Sequence, residues 1–276
     1  MNGYTKLYMI ANRMWYYFPV NIQNPLQFLS LFSIITTVGV ILGLTLTAWR
    51  AADRKIFYID VGIGVSIGAL LGARAGFILR NWGYFQSHVP EIPQIWLGGL
   101  AWSGAVIGAF LTLWAVSLTT KHHLGKLADT MLPLLGTLAA SLWLANWVNG
   151  NTYGPLTNSW WGLPITNQFG EIARRWPLSA FGTILSGVLV FGAEWARGRW
   201  WTNIPGRGAI LGTFGLSLTT LIISLFRVNP APRLWGLRWE SWFAILFTIA
   251  AAVVFFVIGK DVEGAEETEG TKETNA

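Results

Sequence analysis

The sequence predicts an all-α, polytopic membrane protein of about seven transmembrane helices, with outer-face loops and an N-terminal interfacial arm. Three observations carry that prediction. Apolar runs of roughly 20 residues recur along the chain, the length that crosses hydrocarbon. The composition is 53% hydrophobic and 12% charged, about half the charge of an ordinary soluble domain. Basic residues gather in short connections between the runs, as they do beside membranes. Core helices of soluble proteins keep a polar stripe, and these runs have none.

Taken in order, residues 1–26 come first. Tyr4 to Phe18 is rich in Tyr, Met and Trp, with Lys6 and Arg13 interspersed. No apolar core of signal-peptide length follows a basic start. The segment reads as an outer-face amphipathic, aromatic arm or as an irregular aromatic loop. A transmembrane domain then occupies 27–260. Its spans are expected near Phe28–Trp49, Ile59–Leu79, Gly98–Thr119, Leu127–Val148, Pro177–Glu194, Gly208–Phe226 and Ser241–Gly259. Arg50, Arg54 and Lys55 follow the first span, Lys121 and Lys126 the third, Arg197, Arg199 and Arg207 the fifth, and Lys260 the seventh. That bias favours an outer N-terminus and a cytoplasmic C-terminus. Residues 261–276 are Glu-, Gly- and Thr-rich and read as a disordered acidic tail.

The same composition excludes several function classes. The chain contains no Cys, so disulfides, thiol catalysis and thiolate metal sites are out. The basic residues lie in separate loops, which argues against nucleic acid. His88, His122 and His123 have no carboxylates at metal-ligand spacing, so neither a metal nor a cofactor is expected. Two segments are long for a helical bundle, Asn149–Trp176 and Val228–Glu240, and their aromatic and Pro content points to a working surface on the outer side.

Polar groups inside or at the ends of spans are the next signal, because hydrocarbon penalises them. Arg74 sits within the second span. It suits either a snorkelling or helix-bridging role or a grip on a lipid phosphate, which guanidinium matches with paired hydrogen bonds. Asp60 and Asp129 lie at span ends, where N-capping is the expected role. Asn146 and Asn149 share one helical face. Gly150 and Gly154 follow them, which suits either close approach of a ligand or a closed helix C-terminus.

These residues carry a resemblance. The string Leu142-Trp143-Leu144-Ala145-Asn146-Trp147-Val148-Asn149-Gly150-Asn151-Thr152-Tyr153-Gly154 resembles the signature of the prolipoprotein diacylglyceryl transferase family, Gly-Arg-x-Gly-Asn-Phe-x-Asn-x-Glu-x-x-Gly. Gly72 to Phe77 resembles that family's Gly-Gly-Arg-x-Gly-Tyr, and Gly98 to Gly104 its Gly-Gly-Met-Ser-Phe-His-Gly. Arg175-Trp176-Pro177 stands where the family has Arg-His-Pro. The resemblance implies transfer of a diacylglyceryl group from phosphatidylglycerol to a lipobox cysteine of a prolipoprotein, at the outer face of the bacterial plasma membrane. It further implies that Arg74, Asn146, Asn149, Gly154 and Arg175 bind the lipid headgroup.

The chain departs from the family where charge is needed. Ser103 replaces the His, Trp143 the signature Arg and Asn151 the signature Glu. Trp176 and Ser179 replace a later His and Gln, Thr220 and Ser224 an Arg and a Glu, and Leu29 an early Tyr. Arg227, Arg233 and Arg238 are candidates for the cation lost at Trp143. Two readings therefore stand, a divergent transferase and a catalytically inactive relative that binds phosphatidylglycerol or another anionic phospholipid or serves as an assembly subunit. A transporter is the weaker third, since no pair of broken-helix halves is visible.

Overall fold

The computed structural model describes residues 31–148, 150, 152–166, 171–201 and 204–274. The expected N-terminal arm lies outside them. Helix α1 spans Leu31–Arg50, α2 Lys55–Arg80, the short α3 Trp82–Phe85, α4 Trp102–Thr120, α5 Leu124–Thr130 and α6 Leu132–Val148. Helices α7 (Leu178–Trp200), α8 (Arg207–Phe226) and α9 (Trp239–Thr274) complete the set. Among the described residues, six helices are long and apolar enough to cross a bilayer, and a seventh span results when α5 and α6 are counted as one. The all-helical, multi-pass architecture read from the apolar runs is therefore present.

Three differences from the expected spans have local causes. The fourth span bends by 48° between α5 and α6. Pro133 stands in the first turn of α6, where it supplies no N–H to the preceding turn and suits a helix start. The third span begins at Trp102 rather than Gly98, because Gly98 and Gly99 take φ of +83° and +78°, outside helical geometry. The long segment before α7 holds an antiparallel pair, β1 (Leu163–Thr166) and β2 (Ile172–Arg175), with Leu163 opposite Arg175. The segment before α9 forms a second hairpin, β3 (Arg233–Leu234) and β4 (Leu237–Arg238). Its loop residues Trp235 and Gly236 both have positive φ, the geometry of a tight two-residue turn. The spanning part of α9 ends at Ile258, and the backbone helix continues to Thr274; an existing helix propagates without a new nucleation cost.

Neighbour contacts run in a circuit, α4 on α2, α2 on α1, α1 on α6, α6 on α7, α7 on α8 and α8 on α9, with α9 returning lightly to α4. There Trp102 meets Phe247 edge-on at 5.4 Å. The closest pairing, α2 with α4, is built on small residues: Gly68, Gly72 and Gly76 face Gly104 and Gly108. Without a hydrophobic drive between helices in lipid, close backbone approach is what holds such pairs.

At one end of the bundle Asp129 (7% exposed) receives the backbone N–H groups of Gly206 and Ala209, both at 2.8 Å. Its carboxylate thus caps α8 across space instead of its own helix, filling orphan donors at a positive helix terminus. Asp60 caps nothing; it is exposed inside α2, which starts without a side-chain cap. Asp129→Ala is expected to lower stability by about 1–2 kcal/mol, read as an earlier thermal melt in detergent, with Asp60→Ala near wild type. Equal melts for the two variants would contradict the cap.

Candidate functional site

The candidate residues collect at the end of the bundle where α2, α6 and α8 finish and α4, α7 and α9 begin. Arg74 is buried there, and its guanidinium is spent on main chain. Its Nε donates to the Ile92 carbonyl at 2.8 Å, Nη2 to Glu91 at 2.6 Å, and Nη1 to Gly98 at 2.7 Å and Gly99 at 3.3 Å. The positive φ of the two glycines turns both carbonyls toward it. The rings of Phe77 and Phe85 flank the cation at 5.8 and 5.4 Å. Arg74 thus ties the segment between α3 and α4 to α2.

The signature string is also used locally. Asn146 donates its amide to the Leu142 carbonyl one turn back at 2.9 Å. Trp143 packs against Gly182 of α7, where a Cβ would meet the indole, so it serves helix packing here. Asn149 and Asn151 lie outside the described residues. Gly150, at φ +63°, closes the helix. Gly154 is buried, donates its N–H to the Trp176 carbonyl at 3.2 Å, and has no room for a Cβ, which would stand 2.6 Å from that of Trp176. Ser179 donates to the Thr152 carbonyl at 3.2 Å. Ser103 is buried in the first turn of α4.

Arg175 is different. It ends β2 with its guanidinium over the Tyr153 ring, 4.8 Å from the centroid, and its buried Nε has no hydrogen-bond partner among the described residues. Tyr153 is 4% exposed. Burial pushes its phenol up from the ordinary value, against the opposing pull of Arg175 and Arg238. At neutral pH it is an uncharged donor and no base. Gly154 lies next to it, so of the five headgroup candidates the structure brings Arg175 and Gly154 together and leaves Arg74 and Asn146 engaged elsewhere.

The second long segment closes over the same region. Val228 donates its N–H to the Tyr153 carbonyl at 3.2 Å, and Trp176 stacks on Phe226 at 5.5 Å. Arg227 donates to Glu240 at 2.9 Å and to Asn229 Oδ1 at 3.1 Å. Arg238, 4% exposed, donates Nη1 to the Asn229 carbonyl at 2.7 Å and has Nε 3.5 Å from Glu240. Burial lowers both guanidiniums from their ordinary value; Glu240 opposes that for each, and the two arginines add to it for Arg238. Arg233 pairs opposite Arg238 in the hairpin.

The imidazoles have other work. His88 stacks on Tyr84 at 4.0 Å with Nδ1 2.9 Å from the Tyr84 carbonyl. His123 accepts from Gly125 N at the start of α5, and His122 stacks on Phe57 at 4.8 Å. Two α8 hydroxyls close locally. Thr220 bonds the Leu216 carbonyl at 2.9 Å, and Ser224 meets Ser241 at 2.8 Å. Among the described residues no imidazole is placed to take a proton there.

Against known proteins, the model of the family described as prolipoprotein diacylglyceryl transferase matches residues 19–257. The chain is similar to the phosphatidylglycerol–prolipoprotein diacylglyceryl transferase of Cupriavidus metallidurans, 30% identical over 166 residues, which cover 60% of this chain and 58% of that one. Its counterpart in Coxiella burnetii is 27% identical over 170 residues, 59% of this chain and 64% of the relative. That of Thermosynechococcus vestitus is 24% identical over 245 residues, 76% and 85% of the two chains. The chain thus spans about three fifths of the length of the first two relatives.

Proposed function

The chain belongs to the prolipoprotein diacylglyceryl transferase family, and we propose from that premise that it binds the headgroup of phosphatidylglycerol or a similar anionic phospholipid without performing the transfer. The observation that carries this reading is Arg175. Its cation is held in place by Tyr153, and its buried Nε lacks a hydrogen-bond partner among the described residues. A lipid phosphate supplies the acceptor that such a guanidinium lacks.

Transfer asks for more than binding. A thiol must lose its proton while the carbon–oxygen bond to the phosphate breaks, and the departing phosphate must be held by a cation. Ser103 supplies no base near neutrality, Trp143 no cation, and the phenol of Tyr153 stays protonated. In this reading the protein sits in the bacterial plasma membrane with this end outward. Arg50, Arg54, Lys55, Lys121, Lys126, Arg197, Arg199 and Arg207 then face the cytoplasm, in keeping with the positive-inside bias.

A second reading, a divergent transferase acting on a prolipoprotein, is favoured by the activity for which the relatives are named and by Arg227 and Arg238 as substitute cations. Cells depleted of their own transferase separate the two. When this chain is expressed in them, prolipoprotein is expected to stay unlipidated by mass spectrometry; a lipidated product would overturn the binding-only reading. Within that reading, Arg175→Gln is expected to weaken retention of phosphatidylglycerol about tenfold, the loss of one charge-assisted hydrogen bond of ~1.5 kcal/mol. Unchanged lipid retention in that variant would count against Arg175.

A further inference from the structure

A cavity of about 170 Å³ opens beside the Arg175 site, lined by Arg80, Arg227, Asn229, Pro230, Arg238 and Glu240 among others. Neither Arg175 nor Tyr153 lines it. Its walls come from three parts of the chain: the last residue of α2, the segment leaving α8, and the hairpin that leads into α9.

The charge in this cavity does not balance. Among the described residues that line it, three guanidiniums face a single carboxylate, that of Glu240. Glu240 is shared between Arg227, at 2.9 Å, and Arg238, at 3.5 Å. Arg80 receives nothing from it. The Arg80 guanidinium lies over the Phe77 ring at 5.7 Å and has no hydrogen-bond or ion-pair partner among the described residues. Arg238 is 4% exposed, and its Nε makes no hydrogen bond. Holding a buried guanidinium such as Arg238 beside other cations is unfavourable unless an anion completes the group. The walls also hold their shape. Pro230 and Pro232 restrict the backbone, and the Asn229 carbonyl and side chain brace Arg238 and Arg227.

We propose that this cavity is a second anion site, which holds a phosphate group between Arg80 and Arg238 while Glu240 keeps Arg227 in position. Paired guanidiniums read the tetrahedral oxygens of phosphate by forked hydrogen bonds. The volume admits a phosphate with a short polar substituent and excludes acyl chains. Two sources share this chemistry, a lipid headgroup entering from the bilayer surface and a free phosphate ester. The site stands on its own charge and geometry and does not require the Arg175 reading.

The test uses the full-length protein. In detergent, inorganic phosphate and glycerol phosphate are titrated by calorimetry. In nanodiscs of phosphatidylcholine, with and without phosphatidic acid, the same titration is repeated. Wild type is expected to bind in at least one arm, and Arg80→Gln to bind about tenfold more weakly. Arg80 is exposed at a helix end, so this variant is expected to melt like wild type; Arg80→Lys recovers part of the affinity. Binding of the soluble ligands identifies a free ester; binding lost only when phosphatidic acid is present identifies a headgroup. Absence of binding in every arm, or equal affinity in wild type and Arg80→Gln, overturns the proposal.

Discussion

Gly104→Val is expected to abolish the pairing of α2 with α4 and to leave little folded protein in detergent. A Cβ at this position would strike the Gly72 carbonyl oxygen and stand 3.1 Å from the Gly76 Cα. Both obstacles are backbone, so no side chain can swing aside. The helices must separate along the seam of Gly68, Gly72, Gly76, Gly104 and Gly108, and every contact that close approach makes possible is lost with them. Overpacking of this kind costs about 3 kcal/mol or more, a large fraction of a marginal stability. Gly187→Val and Gly192→Val are the controls, because nothing stands within 4 Å of a Cβ at either position. Thermal melts followed by size-exclusion chromatography decide the matter. A Gly104→Val protein that melts with its controls would contradict the seam.

Arg74→Leu is expected to free the segment between α3 and α4. Four carbonyls, those of Glu91, Ile92, Gly98 and Gly99, accept from this one side chain, and that of Glu91 also accepts from Gln94 N. A fully buried acceptor left alone costs about 1–3 kcal/mol, and these four residues are half-buried or exposed, so water can take up part of the loss. The cheaper outcome is for the segment to detach and find water, at the end of the bundle where water is near. Hydrogen exchange should then rise sharply from about Ile92 to Ala101, with α6 to α9 protected as before. Arg74→Lys recovers little, because a single ammonium cannot span four acceptors as a planar fork does. Unchanged exchange in Arg74→Leu would mean that the clamp carries no weight.

Much of the architecture was legible because a lipid-facing helix has a local signature. The run from Leu31 to Arg50 carries no charge before its last residue, and no fold is needed to see its length. The features that were not legible all depend on partners distant in sequence. Arg74 in a span reads equally well as a clamp or a phosphate ligand until the segment from Glu91 to Gly99 is seen folded back onto it. Asp129 was legible as a cap but not as the cap of α8, 77 residues away at Gly206. The two hairpins were missed because four-residue and two-residue strands leave no alternating pattern; Trp235-Gly236 was the one available turn signal. Arg175 and Gly154 came from motif order, and the structure adds Tyr153 between them. Of the arginines offered as replacement cations, Arg227 and Arg238 line a cavity and Arg233 does not. Arg80, which completes that cavity, looked like an ordinary basic residue at a helix end.

The departures from the family pattern have a common physical character. Trp143 fills the space beside Gly182, Ser224 and Ser241 satisfy each other, and Thr220 bonds its own helix. Each is a neutral group that closes locally.

The binding claim is tested most directly by native mass spectrometry of the full-length protein released from nanodiscs of equal parts phosphatidylglycerol and phosphatidylethanolamine. The account predicts adducts that retain phosphatidylglycerol over phosphatidylethanolamine at increasing collision energy, with that preference lost in Arg175→Gln. Equal retention of the two lipids by the wild-type protein would contradict it.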